Sequence, residues 1–243
     1  MRPKSALYYI PELEEIAVEL TVKIEQLISS TDGILEPQRV LQEYALEAVG
    51  CVFLGTRLGA MAGLVDGQRI IEISDQFTSS ALKLLFMPQW ILPYLPDFKK
   101  FISIQEEMFD ICKKYIDRAI ANMKDTDDSL LAKLVRKCGK DSQIPFIMGL
   151  DSLQAGIDTT GSTATFLLYH LADNPDKQEK LYQEICNIIG PHGNITEASL
   201  VKMKYLKACQ TESQRMLPAA IGSFRRIQVF FYVLTSREYL FVL

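Results

Sequence analysis

The sequence predicts a mainly α protein. Apolar residues recur at spacings of three and four along most of its 243 residues, helix breakers separate these runs, and no convincing strand appears before the last stretch. From Pro11 to about Ser29, Leu13, Ile16, Ala17, Leu20, Ile24 and Leu27 form one helical face. Further helical patterns cover Pro37 to Leu54, Asp66 to Phe86 and Pro96 to Met123, with "ISSTDG" and "FMPQWILPYLPD" as breaks, and a short one begins at Ser129. A long helix is predicted from about Pro145 to Asp173, ~40 Å at 1.5 Å per residue. Asn174 and Pro175 end it and start the next, with Asn174 as N-cap and Gly190 as stop. Thr196 is placed to cap a short helix, and Met203 to Leu217 is the last, closed by Pro218. "IQVFFYVL", Ile227 to Leu234, has strand-like composition.

Composition excludes several function classes. With 48% hydrophobic and 23% charged residues the chain can build a real core, and a net charge of -4 without a basic stripe argues against nucleic-acid binding. Cys51, Cys112, Cys138, Cys186 and Cys209 form no CxxC pair, so reduced thiols are expected. His170 and His192 are the only histidines, which makes a clustered zinc site improbable; no metal ligand is assigned. No apolar run is long enough to span a bilayer, and the start "MRPKSALYYIPELEE" has neither a signal peptide's apolar core nor a transit peptide's Arg-rich, acid-poor character.

The long helix breaks the rules of helix composition at "LQAGIDTTGSTATFLLYHL", Leu153 to Leu171. Leu153, Ile157, Thr160, Ala164, Leu167 and Leu171 make an expected apolar stripe. Beside it Ala155, Thr159 and Thr163 lie at i, i+4 and i+8 with Gly156 adjacent, a face with little side chain to fill it. Gly156 and Gly161 each cost about 1 kcal/mol of helix propensity relative to Ala. The Thr159 hydroxyl can bond to the carbonyl of Ala155 and open the helix to a water or ligand. Asp158 adds an ionisable group that is expensive to bury unpaired. Two readings stand: close helix packing with Asp158 in solvent, or a groove built for a ligand. Asp-Thr-Thr-Gly does not fit the aspartic protease motif, because Thr160 intrudes and no second copy follows. Downstream, Glu212 and Arg215 stand at i, i+3 within "YLKACQTESQRMLP", close enough for a charge-assisted pair.

Together, Ala-Gly-x-Asp-Thr-Thr at Ala155 to Thr160 and Glu-x-x-Arg at Glu212 to Arg215 resemble the long central helix and the later paired-charge helix of the cytochrome P-450 monooxygenases. "YHLADNPDKQEKLYQEI", "PKSALYYIPELEEIA", "LEAVGCVFLGTRLG" and "FMPQWILPYLPDFKKF" resemble the mitochondrial clan, especially its arthropod members. Coverage runs from Met1 to Arg226, with 227–243 a divergent apolar tail. The resemblance implies a partial cytochrome P-450 fold and oxygenation of a lipophilic, steroid-like substrate. The cofactor would be haem, the electrons would come from a ferredoxin-type partner, and the location would be the matrix side of the mitochondrial inner membrane, with peripheral membrane association in the complete protein. It implies that haem lies against Ala155, Gly156 and Thr160, and that Asp158 and Thr159 relay protons towards bound oxygen. Glu212 and Arg215 would be structural, Ala220 and Ile221 would face substrate, and Arg225 would meet a haem propionate.

The departures shape a further expectation. The family's Phe-x-x-Gly-x-x-x-Cys-x-Gly haem loop is not found in this sequence, nor is its Trp-x-x-x-Arg haem contact, since Trp90 lies in a loop signal. Gln214 and Thr211 replace a usual leucine and a basic docking residue, while Lys207 remains. The chain is therefore expected to be a truncated, inactive piece of the enzyme without an axial thiolate. The rivals are a haem-free helical module for a lipid or protein, and a non-functional product.

Overall fold

In the computed structural model, residues 7–30, 36–85, 87–88, 90–124, 127–139, 142–190 and 193–220 are described. They form nine α-helices and two short 3-10 turns, Leu7–Tyr9 and Leu92–Tyr94, with no strand among the described residues. The helices are α1 Ile10–Ser30, α2 Pro37–Leu54, α3 Val65–Leu85, α4 Pro96–Ala121, α5 Leu130–Cys138, α6 Gln143–Ala172, α7 Pro175–Ile189, α8 Glu197–Lys202 and α9 Lys204–Met216. Each matches a predicted run to within about two residues, the usual uncertainty of a helix end. The strand-like segment 227–234 lies outside the described residues, as does Phe86.

Local chemistry sets most of the ends. Pro37, Pro96 and Pro175 open α2, α4 and α7, where a missing N–H costs nothing. Ser129 and Ser142 accept from Ala132 N at 3.2 Å and Ile144 N at 3.3 Å to cap α5 and α6. Thr196 and Ser199 form a reciprocal capping box on α8. Gly55, at φ 68°, stops α2 in the left-handed conformation that glycine adopts without strain. Asn174 departs from its expected role. It occupies the N-cap position of α7 without capping it, and its Nδ2 donates instead to the carbonyl of His170 at 2.9 Å.

The core gathers around α6. Leu46 and Phe53 of α2, Ile70, Ile71 and Ile73 of α3, Met108, Cys112 and Ile116 of α4, and Leu131 and Val135 of α5 join Leu153 and Ile157 in one buried cluster. The most extensive helix pair among the described residues is α2 on α6. The buried line of α6 is Pro145, Gly149, Leu153, Ile157 and Gly161, a strict repeat of four. Thr160, expected on the apolar stripe, is exposed, and Gly161 takes the buried place. The reason is steric. A Cβ at Gly161 would stand 3.0 Å from Gln42 Cγ and 3.3 Å from that residue's Cα and N, so α2 crosses too closely for a side chain.

A buried carboxylate secures the loop after α2. Glu47, fully buried, accepts from Arg57 Nε and Leu58 N, both at 3.0 Å, and from Met61 N at 3.4 Å. Arg57 also forks onto Glu19 of α1, at 3.1 and 2.7 Å. An ion buried in this way persists only because each of these bonds replaces lost hydration.

Candidate functional site

The unusual composition of α6 resolves into two faces. Gly149, Gly156 and Gly161 let neighbouring helices approach: a Cβ at Gly156 would lie 2.4 Å from Val49 Cγ2, and one at Gly149 2.9 Å from Ile116 Cδ1. The other face is bare. Ala155, Thr159 and Thr160 are exposed, and Thr163 is half-buried. The Thr159 hydroxyl donates to the Ala155 carbonyl at 2.7 Å, as the sequence predicts, and α6 nevertheless runs on unbroken to Ala172. Of the positions expected to give a ligand a flat surface, 155 and 159 are open, whereas the missing side chain of Gly156 is used by Val49.

Asp158 lies off this open stripe, half-buried against α2 and α3. Gln42 Nε2 donates to its Oδ1 at 3.3 Å and Thr78 Oγ1 to its Oδ2 at 2.5 Å. Both carboxylate oxygens are thus engaged, neither of them by Thr159. The expectation that a carboxylate here needs partners holds, and the partners come from residues 116 and 80 positions away in sequence.

The C-terminal end of the helical body is joined to α6 through His170, whose Nδ1 is 3.0 Å from Ser213 Oγ on α9. Glu184 of α7 accepts from Tyr205 N at 2.8 Å and Leu206 N at 2.9 Å, satisfying first-turn amides of α9. Arg215 forks onto Glu212, Nε to Oε2 at 2.8 Å and Nη2 to Oε1 at 2.6 Å, with both side chains exposed. That pairing holds the Glu212 carboxyl below its ordinary value. Ala220 is exposed at the end of the described residues. Ile221 and Arg225 lie outside them.

Three of the thiols sit in environments that oppose ionisation. Burial pushes the Cys112 thiol up to about 12, and it raises those of Cys51 and Cys209 as well. Among the described residues no three His, Cys, Asp or Glu side chains gather to hold a metal ion.

The sequence matches the family model described as cytochrome P450 over residues 1–229. The chain belongs to the cytochrome P450 family. It is 35% identical to "Probable cytochrome P450 49a1" of Drosophila melanogaster, over 94% of this chain and 41% of that protein. It is 33% identical to "Cytochrome P450 CYP12A2" of Musca domestica, over 93% and 45%, and 25% identical to "Sterol 26-hydroxylase, mitochondrial" of Mus musculus, over 90% and 44%. The chain thus spans less than half the length of these relatives.

P450 proteins are haem monooxygenases, and the residues present fit one side of that cofactor. A macrocycle needs a helix face without bulky side chains, and Ala155 and Thr159 supply one. The other side needs a thiolate, which forms where neighbouring positive charge lowers a cysteine's pKa. Cys112 has the opposite environment, sealed in the apolar core. The open face of α6 is therefore compatible with such a cofactor, and Cys112 is not in an environment that would supply the thiolate. Sequence reasoning missed Gln42, Thr78 and Val49, which decide how α6 is held. All three lie on helices that the sequence predicts, but no pattern in it singles them out.

Proposed function

We propose that this chain forms the helical wall on the oxygen side of a mitochondrial haem monooxygenase that acts on a lipophilic, sterol-like substrate with electrons from a ferredoxin-type protein. The observation that carries the reading is the open stripe of α6, where exposed Ala155 and Thr159 are joined by the 2.7 Å hydroxyl-to-carbonyl bond. Haem, when bound, supplies the activation of dioxygen for insertion into a C–H bond. The chain's own residues prepare the space and the protons. Ala155 leaves room, with Thr160 beside it. The Thr159 hydroxyl commits its proton to Ala155 and turns its lone pairs to the open side, where they orient a water. Asp158 holds a proton acceptor one residue away, behind that stripe.

Glu212 and Arg215 act structurally in this reading, offering an exposed charged fork to a later segment. Ala220 and Ile221 contribute to the substrate side, and Arg225 to a propionate. The sterol-like substrate and the mitochondrial location are supported by the name of the mouse relative, a mitochondrial sterol 26-hydroxylase, and the matrix side by the ferredoxin-type partner proposed here. Peripheral membrane contact is supported by the exposure of Trp90 at 75% and Tyr94 at 81% beside Leu92–Tyr94. No helix among the described residues is long and apolar enough to cross a membrane.

By itself the chain is not expected to turn over substrate, because none of its five cysteines stands in the family's Phe-x-x-Gly-x-x-x-Cys-x-Gly pattern. Titration of the full chain with haem tests the reading. The expected result is a Soret change that Ala155→Phe suppresses, without the carbonyl-bound spectrum of a thiolate ligand. Failure of the parent chain to perturb the haem spectrum would favour the haem-free binding module.

A further inference from the structure

Apart from the open stripe of α6, the structure holds a groove of about 540 Å³ lined by Ile102, Gln105, Glu106, Phe109 and Asp110 of α4 and by Leu150 of α6. That volume is in the range of small-molecule sites. Its floor is apolar. Ile102 and Phe109 are 40% and 41% exposed, Phe109 stands edge-on to Phe146 with ring centroids 4.7 Å apart, and Leu150 packs against the core. Leu150 and Ala155 are five residues apart, which sets them ~140° from one another around α6, so the groove is not the face proposed for haem. One wall carries charge. Glu106 and Asp110 stand at i, i+4, where like charges work against a helix, and neither makes an ion pair or a hydrogen bond among the described residues. Nearby cations are committed elsewhere: Lys114 to Asp66, and Arg69 to Glu72 and Glu107. Lys113, at i+3 from Asp110, does not pair with it, and no lysine or arginine is among the residues lining the groove.

We infer that this groove is a second ligand site, for an organic cation with an apolar body: a lipophilic ammonium whose chain lies against Ile102, Phe109 and Leu150 and whose head meets Glu106 and Asp110. Charge complementarity selects this occupant. A neutral lipid would leave the repulsion between the two carboxylates as it is, and a fatty acid would add a third negative charge. One ammonium between them turns a repulsive pair into an attractive bridge. Both carboxylates are exposed, so the head group keeps part of its hydration, and the charge contributes selectivity while the apolar floor contributes most of the affinity. The inference does not rest on the haem reading.

Octylammonium, with octanol and octanoate as neutral and anionic counterparts of the same length, tests the site on the full haem-free chain at neutral pH. In a methyl-labelled sample the Ile102 and Leu150 signals should shift with octylammonium, while those of Ile28, an exposed residue of α1, stay in place. At low salt octylammonium should bind about threefold to tenfold more tightly than octanol, and octanoate should bind most weakly of the three. The surface double variant Glu106→Gln/Asp110→Asn should abolish the preference for octylammonium without weakening octanol. Equal affinity for octylammonium and octanol in the parent chain overturns the inference, as does a preference that survives the double variant, or binding that leaves the Ile102 and Leu150 signals unmoved. A basic amphipathic peptide that shifts those two signals where octylammonium shifts neither would overturn it too, and would assign the groove to a protein partner.

Discussion

Replacing Gly156 by alanine sets two effects of known size against each other. In a helix interior the exchange is favourable by about 1 kcal/mol. The new Cβ, however, would stand 2.4 Å from Val49 Cγ2, a methyl on a β-branched residue whose rotamer is nearly fixed within α2. Overpacking of this kind costs about 1–3 kcal/mol, so Gly156→Ala should be net destabilising by up to ~2 kcal/mol. In a chain of this size that lowers the melting temperature by about 2–4 °C per kcal/mol. The decisive comparison is the same change in a Val49→Ala background. The Val49 Cβ lies 3.4 Å from the built position, an ordinary contact, so the clash disappears and the propensity gain remains. Gly156→Ala should then stabilise the chain, a reversal of sign measured by urea or thermal unfolding of the four variants of the cycle. The same sign in both backgrounds would show that Gly156 is not a packing glycine against α2, and the assignment of the two faces of α6 would fail.

Other consequences are equally specific. Gly161→Ala meets backbone as well as side chain of Gln42, so truncating Gln42 should not restore its stability in the same unfolding assay. Glu47→Ala leaves Arg57 and two backbone amides without their partner and should cost about 3–5 kcal/mol, readable as a collapse of the urea midpoint. The Lys114 ammonium, 2.6 Å from Asp66, holds that carboxyl below its ordinary 3.8. A depressed folded-state value means that the stabilisation is complete above 3.8 and fades as pH falls through the lower folded value, so Asp66→Asn should flatten the acid limb of stability against pH below 3.8. Cys112, with its thiol pushed up to about 12, should resist alkylation in the folded chain and react only on unfolding, as mass spectrometry of labelled peptides would show.

The helices themselves were readable because each carries its own evidence: apolar spacing, a proline at the first position, a serine or threonine cap. The Thr159 bond was readable for the same reason, since both partners lie within one turn. What could not be read was the identity of the helix crossing α6. Gly156 reads as part of a bare surface for a ligand, but a glycine in sequence is equally suited to an approaching helix, and only the position of α2 decides. Gly161 takes the buried place expected of Thr160 for that reason. Asp158 was rightly expected to need partners, yet Gln42 and Thr78 stand on helices whose patterns show no reason to meet it. Glu47 gave no sign of burial, because its amide donors belong to a loop that folds back on α2.

Whether the stripe of Ala155 and Thr159 is the face that meets haem is decided by haem titration of the parent chain beside Ala155→Phe and Val18→Phe. Val18 is an exposed α1 residue, 59% accessible, outside the proposed site. Loss of the haem-induced Soret change in Ala155→Phe, with Val18→Phe indistinguishable from the parent, is the expected result. Equal haem association in all three proteins would place the cofactor elsewhere and leave α6 with a packing role alone.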